Sequence, residues 1–291
     1  MIDLVLPKGS LEAVTLKLFE EADLPVRRSS DREYNASIPD PRIGKVKILR
    51  PQEIAQAIQH GYFDLGITGH DWVLETDSDV YQVMDLGFNR ASASVARIVL
   101  AVPGEAKIER PEDVLPGSRI STEYPNLTSR FFGRLGIPVE VLLSYGATEA
   151  KVPELADAIV DLTETGSSLR RAGFKIVGTL AETSTRLIAN KLSWEDPEKR
   201  QAIEEIQTLL AGVLAARGKV LIKMNVPEER LQEVIQLLPA MKAPTVSHLF
   251  GTTYYAVETV AVKCNINLLI PDLKKHGAED ILEIPISKIV A

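Results

Sequence analysis

An α/β body carrying a small appended domain is what this sequence predicts. Short apolar runs that end in Gly-, Ser- or Thr-rich turns recur along the chain, each followed by a segment of helical period. That is the strand–turn–helix rhythm of an α/β fold. A long helix then stops at Gly218, and beyond it the order becomes β-α-β-β-α-β. This second pattern is the ferredoxin-like plan.

The elements follow in order. Ile2 to Leu6 is a short apolar strand, and Pro7-Lys8-Gly9-Ser10 leads to a helix with Leu11, Val14, Leu18 and Ala22 on one face, Ser10 serving as its cap. Lys8 sits in a strand-to-helix turn where a cation can meet an anion, although taken alone it reads as a solvated lysine. Between Arg27 and Arg50 seven basic residues face three acidic ones, a local +4 in a chain of net charge −7. Such an island suits a small polyanion. Gln52 to His60 reads as a helix, and Phe63 to Gly69 as a strand entering another turn and helix. Ala93 to Val102 is a β-rich run able to bridge two lobes. Arg119 to Glu123 and Val139 to Leu143 are strands around a helix that begins near Pro125 and ends at Gly136. Lys175 to Leu180 and Thr185 to Ala189 are strands, and Asp196-Pro197 opens the long helix. In the last segment Val220 to Val226 is a strand, Pro227 to Leu238 a helix, and Thr245 to Phe250 with Tyr255 to Lys263 a hairpin. Leu268 to His276 is a second helix and Ile281 to Ile289 the closing strand.

One stretch draws these elements together. Ala158-Ile159-Val160 reads as the end of a buried strand, Asp161 follows, and Thr163 to Ser168 form a polar turn around Gly166 before a helix ending at Gly173. Two readings of it are open. It is either an ordinary turn with hydroxyl caps or a phosphate cradle with a carboxylate beside it. Lys8, Gly69, Tyr124, Glu149 and Asp161 all fall at strand ends, where ligands gather in α/β sheets.

Composition bounds the alternatives. With 291 residues, 45% hydrophobic and 25% charged, the chain suits a globular protein of about two domains. Aromatics at 5% and the net negative charge argue against a nucleic-acid surface. No apolar run approaches the roughly 18 residues of a membrane span, and no signal-peptide pattern opens the sequence. The single cysteine, Cys264, rules out an internal disulfide. The expectation is a cytoplasmic protein with no nucleic-acid or membrane partner.

Over essentially its whole length the chain resembles the long form of ATP phosphoribosyltransferase, the first enzyme of histidine biosynthesis. The carriers are Leu6-Pro7-Lys8-Gly9-Ser10-Leu11, Asp64 to Gly69, Arg119 to Leu127, and above all Glu149 through Leu155–Leu162 to Thr165-Gly166. Pro244-Thr245 and Gly277-Ala278 to Ile284-Pro285 match the C-terminal domain that separates the long form from the short form, which needs a separate regulatory subunit. The resemblance implies a two-lobed, periplasmic-binding-protein-like catalytic body. Residues 1–92 and 179–217 would form lobe I, 93–178 the lobe that binds 5-phosphoribosyl 1-pyrophosphate (PRPP), and 218–291 a ferredoxin-like regulatory domain.

By the same resemblance the enzyme joins ATP to PRPP, needs Mg²⁺ held mainly by substrate phosphates, is inhibited by histidine, and assembles from dimers into a hexamer. Thr163, Glu164, Thr165, Gly166, Ser167, Ser168 and Leu169 would hold the PRPP 5′-phosphate, and Asp161 the ribose hydroxyls. Lys8 would meet pyrophosphate and Glu149 ribose or metal. Arg28, Arg32 and Arg50 would take the ATP triphosphate, with Gly69, Tyr124 and Asn126 lining the cleft. Asn225, Met241, Thr245 and Asp280 are the candidates for the histidine site. Ser168 stands where many members have Thr, and Glu164 adds an unexplained negative charge to the phosphate turn. Read from local residues alone, two other classes remain open: a two-lobed solute-binding or sensor protein, and a phosphoribosyltransferase for another base.

Overall fold

The computed structural model describes residues 1–88, 96–239 and 243–290. In chain order β1 (Ile2–Pro7) leads to α1 (Glu12–Glu21), β2 (Asn35–Ala36), β3 (Ile43–Leu49), α2 (Pro51–Gln59), β4 (Leu65–Gly69), α3 (His70–Thr76) and β5 (Tyr81–Asp85). Next come β6 (Ala96–Pro103), β7 (Arg119–Thr122), α4 (Pro125–Leu135), β8 (Glu140–Leu143), β9 (Ala158–Thr163), α5 (Ser167–Arg171) and β10 (Phe174–Thr183). Then follow β11 (Thr185–Ala189), α6 (Lys191–Glu195) and α7 (Pro197–Ala216). The closing run is β12 (Lys219–Pro227), α8 (Leu231–Leu237), β13 (Thr245–His248), β14 (Tyr254–Val262), α9 (Ile266–Lys275) and β15 (Glu279–Pro285).

The chain forms two compact units, Met1–Gln207 and Thr208–Ala291. The first holds two sheets. One has the order β2-β3-β1-β4-β11-β5 and the other β10-β6-β9-β7-β8. In the first sheet β1 runs parallel to β3 and β4; in the second, β7 runs parallel to β8 and β9. β1, β4, β6 and β9 are buried along nearly their whole length because both of their faces are covered, whereas β3 and β8 expose part of theirs. Val5, Ile54, Ile58 and Ile188 pack one core, and Ile98, Leu100, Ile120, Phe132 and Val160 another. The chain leaves the first sheet after β5 and returns to it through β11, so the second sheet is inserted between two strands of the first. The return comes at Thr185 rather than near Thr179, because Thr179 to Thr183 still pair with Val99 to Ala96. The bridging run expected from Ala93 is described from Ala96 onward; its first residues lie outside the described set.

Local signals account for most boundaries. Pro51 and Pro125 sit in the first turns of α2 and α4, and Gly136 takes the left-handed conformation after α4. Ser10 does not cap α1. Gly9 to Leu11 form a single 3₁₀ turn, and the Glu12 carboxylate receives the Gly9 N–H at 3.2 Å.

Asp64 pins the start of β4 from several sides. It accepts from the Asp3 N–H at 2.7 Å, the Ser193 hydroxyl at 2.6 Å and the Lys199 ammonium at 2.7 Å. Burial pushes this carboxyl up, but Lys199, Ser193 and Asp3 together hold it below the usual carboxylate range. Replacing Asp64 with Ala is expected to cost about 3 kcal/mol at pH 7, since it strands a paired cation and two donors. A carboxyl depressed in the folded state stabilises fully above its unfolded pKa of about 4 and loses that contribution as pH falls through the folded value. Urea unfolding at pH 7 and pH 3 checks both points, with a smaller wild-type advantage at pH 3.

The second unit carries β13-β14-β12-β15, all antiparallel, with α8 and α9 crossing between strands. This is the ferredoxin-like sheet order. Val220, Ile222, Met224 and Val226 alternate onto its buried face against Val234, Val257 and Leu273.

Candidate active site

The carboxyl ends of β1 and β4, the start of α2 and the start of β11 converge on a cavity of about 290 Å³. It is lined by Lys8, Tyr34, Arg50, Gln52, Gly69, Asp71, Trp72 and Thr185, with Leu162 from the other sheet. Lys8 owes its place to its own backbone, whose N–H bonds Leu49 O at 2.7 Å. Its ammonium lies 4.5 Å from the Tyr34 ring centre and donates to Asp31 O at 3.3 Å. A second cavity of about 690 Å³ shares Arg50, Gln52 and Trp72 and adds Glu75, Glu123, Asn126, Ser144 and Tyr145. A third of about 220 Å³ is formed by Leu162, Thr163, Glu164, Thr165 and Ser168. Leu162 is common to the first and third, so the polar turn and the cationic cleft adjoin.

The turn itself is built from local hydrogen bonds. Gly166 has φ +72°, a conformation that favours glycine, and its N–H donates to Thr163 Oγ1 at 2.8 Å. Thr165 Oγ1 donates to Ser167 Oγ at 3.0 Å and accepts the Ser167 N–H at 3.3 Å. Thr165, Ser167 and Ser168 are exposed, while Glu164 lines the cavity. Leu169 is buried among Val99, Ala101, Ile159 and Phe174, so its side chain anchors α5 and faces no ligand. Asp161 is half-buried, and its carboxylate receives the Leu162 N–H at 2.7 Å. Glu149 is exposed on a 3₁₀ turn, Thr148–Lys151, and lines none of these three cavities.

Helix α3 belongs by strand order to the first sheet but is anchored in the second. Trp72 joins the second sheet's core and packs at 4.8 Å from the Tyr124 ring. Tyr124 is 1% exposed and lines none of the cavities; its hydroxyl donates to Asp71 Oδ2 at 2.9 Å. Asp71 Oδ1 accepts from Thr183 Oγ1 at 2.8 Å, and the Asp71 N–H donates back to that oxygen at 2.9 Å. Glu75 caps α4, accepting the Asn126 N–H at 2.9 Å and the Leu127 N–H at 2.8 Å. Burial pushes the Glu75 carboxyl up, against the pull of those two N–H groups and Arg130.

Much of the basic island is neutralised where it lies. Arg28 pairs with Glu12 at 2.6 Å and Asp31 at 3.0 Å, and Arg42 with Asp40 at 2.7 Å and Glu205 at 3.2 Å. Arg32 is exposed and lines none of the three cavities, whereas Arg50 lines two. Of the expected residues, the structure gathers Lys8, Arg50 and Gly69 around the first cavity and Asn126 with Arg50 around the second. Tyr34, Gln52, Asp71, Trp72, Glu75 and Thr185 join them without having been expected. Asp71, in the first turn of α3 just past the strand-end Gly69, carried a usable signal, a carboxylate beside a strand end of the kind where ligands gather.

In the second unit Asn225 Nδ2 donates to Asp280 Oδ2 at 2.9 Å, joining β12 to β15. Thr245 is exposed at the start of β13. Met241 lies outside the described residues.

Fold and cleft together define a two-sheet α/β protein in which a cavity lined by Lys8 and Arg50 adjoins a hydroxyl-rich turn. Comparison with known proteins supplies the particular family. The family model described as HisG, ATP phosphoribosyltransferase, matches residues 50–212, and that of the HisG C-terminal domain matches residues 216–288. ATP phosphoribosyltransferases of Chlorobium luteolum and Chlorobaculum parvum are 45% and 46% identical over 290 residues, covering 100% of this chain and 98% of theirs. A solved ATP phosphoribosyl transferase (HisG:HisZ) complex from Thermotoga maritima contains a chain similar at a TM-score of 0.62 and 26% identity, over 72% of this chain and 98% of that one. The chain belongs to the ATP phosphoribosyltransferase family and is a transferase.

Proposed function

We propose that the protein joins ATP to PRPP, forming N1-(5-phosphoribosyl)-ATP and pyrophosphate, as the first step of histidine biosynthesis in the cytoplasm. Full-length similarity to enzymes of that name carries this reading. Adenine N1 uses its lone pair to form the bond to ribose C1, while the C1–O bond to pyrophosphate breaks. No protein nucleophile is needed. The barrier is the positive charge that develops on the ribose ring, so positioning and electrostatics suffice. The turn from Thr163 to Leu169 holds the 5′-phosphate, its backbone and hydroxyl donors each contributing about 1.5–3 kcal/mol to a charged acceptor. Asp161 contacts the ribose hydroxyls and opposes the ring charge. Lys8 takes the departing pyrophosphate, and Arg50 the triphosphate, with Arg28 and Arg32 as weaker candidates.

Among the described residues no three His, Cys, Asp or Glu side chains converge as a metal cage. Mg²⁺ commonly binds through substrate phosphates with only one or two carboxylates. Glu149 is the candidate for that role. When bound, the metal would neutralise the leaving pyrophosphate. Among the described residues no helix is long and apolar enough to cross a membrane. The second sheet, which the chain leaves after Thr183, would act as the PRPP lobe and the first sheet as its partner lobe, with 218–291 as the regulatory domain and dimers assembled into a hexamer.

The test is purified protein with ATP, PRPP, Mg²⁺ and pyrophosphatase, followed by mass spectrometry for phosphoribosyl-ATP. No product would sink the assignment. Histidine is expected to inhibit through the second unit, where Asn225, Thr245, Asp280 and Met241 are the candidates. Asn225→Ala should raise the histidine concentration for half-inhibition about tenfold or more, the loss of one hydrogen bond to a charged ligand, with kcat unchanged. An unaltered inhibition curve would move the site elsewhere.

A further inference from the structure

Two buried polar atoms at the cleft have no hydrogen-bond partner among the described residues: Thr185 Oγ1 and Gln52 Oε1. Both side chains line the cavity of about 290 Å³, and Gln52 also lines the one of about 690 Å³. Thr185 is 0% exposed. Gln52 is the second residue of α2, held there by Pro51 ahead of it. A buried acceptor with no donor is destabilising. Two of them in one cavity mark it as shaped for a polar ligand. The larger cavity sets aromatic Trp72 and Tyr145 beside the amides of Gln56 and Asn126, with Tyr145 92% exposed. Aromatic walls with a few convergent polar groups suit a flat heterocycle. Arg50, shared by both cavities, places a cation next to it.

We propose that Gln52 reads the purine of the nucleotide substrate, its Oε1 accepting from the 6-amino group and its Nε2 donating to N7. The inference rests on the reading of the protein as an ATP phosphoribosyltransferase. A glutamine carboxamide matches the amino donor and N7 acceptor of adenine in a bidentate pair. This edge leaves N1 uncovered, whereas a contact along the opposite edge would occupy the nucleophile. A 6-oxo purine would set an acceptor against Gln52 Oε1 and be rejected by repulsion. Gln52 makes and breaks no bond; it orients the base so that N1 faces the ribose.

The test compares ATP with purine riboside 5′-triphosphate, which lacks the amino group, and with 7-deaza-ATP, which lacks N7. Both keep the N1 lone pair. In the wild type each analogue should lose about 10- to 100-fold in kcat/KM. In Gln52→Leu the discrimination between ATP and 7-deaza-ATP should vanish and that against purine riboside triphosphate should shrink about 10- to 100-fold, to the residue set by the lower N1 basicity of a purine without its amino group, with the KM for PRPP unchanged. Gln52→Glu, nearly identical in shape and so safe for folding, should still prefer ATP to purine riboside triphosphate but lose its preference over 7-deaza-ATP. Equal use of all three by the wild type, or wild-type ranking in both variants, overturns the proposal. Absence of phosphoribosyl-ATP from the wild type overturns the reading beneath it as well.

Discussion

Asp161→Asn is expected to lower kcat for phosphoribosyl-ATP formation by about 10²- to 10³-fold, the range seen when one preorganised electrostatic group is removed. Asp161 directly precedes Leu162, the residue that lines both the cationic cleft and the hydroxyl-rich turn. On the proposed mechanism a carboxylate there would oppose positive charge that exists on the ribose only as pyrophosphate departs. Its loss should therefore fall on kcat more than on the KM for PRPP. Asparagine keeps the shape and an oxygen to accept the Leu162 N–H, which Asp161 Oδ1 receives at 2.7 Å. The thermal midpoint should accordingly hold. Steady-state kinetics beside a melting curve separate the two effects. Wild-type turnover in this variant would remove Asp161 from the chemistry.

What the sequence made legible, and what it hid, divides along chain distance. The turn from Thr163 to Ser168 was visible because its hydrogen bonds join neighbours, such as the Gly166 N–H to Thr163 Oγ1. The appended βαββαβ unit was visible because Val220, Ile222, Met224 and Val226 alternate and its helices keep their period. Partners far apart in the chain left no such trace. Thr183 and Asp71 are 112 residues apart, and Tyr124 and Asp71 are 53 apart, yet their side chains meet. Sequence reading therefore sent Tyr124 to the cleft, when its apolar ring belongs to the core and only its hydroxyl serves Asp71. Charge misled in a similar way. A run of basic residues counts cations but not partners, and Glu12 and Glu205 come from other elements to neutralise Arg28 and Arg42. Gln52 and Thr185 are not legible in sequence because what distinguishes them is a partner they lack among the described residues, which appears only in three dimensions.

Gly69→Ala should be among the most damaging single-methyl changes in the first unit, and for reasons of space. The Gly69 backbone is extended, with φ −72° and ψ 143°, so any residue can adopt it. A Cβ at this position, however, would overlap Asp71 Oδ1. Asp71 would have to withdraw from Thr183 Oγ1, 2.8 Å away, and from the Tyr124 hydroxyl, 2.9 Å away. Hydrogen bonds to a charged group contribute about 1.5–3 kcal/mol each, so the expected loss of stability is about 3–6 kcal/mol. These bonds also tie α3 to β10 and α4 of the second sheet, and with them the wall that carries Gly69, Asp71 and Trp72 into the first cavity. Activity should therefore fall along with stability. A double-mutant cycle separates this account from a general intolerance at the strand end. On an Asp71→Ala background the clash has no partner, and Gly69→Ala should cost only a small fraction of its single-variant effect. Urea unfolding of the wild type, both single variants and the double variant measures the coupling. Additive losses would mean that Asp71 is not the reason glycine stands at this position.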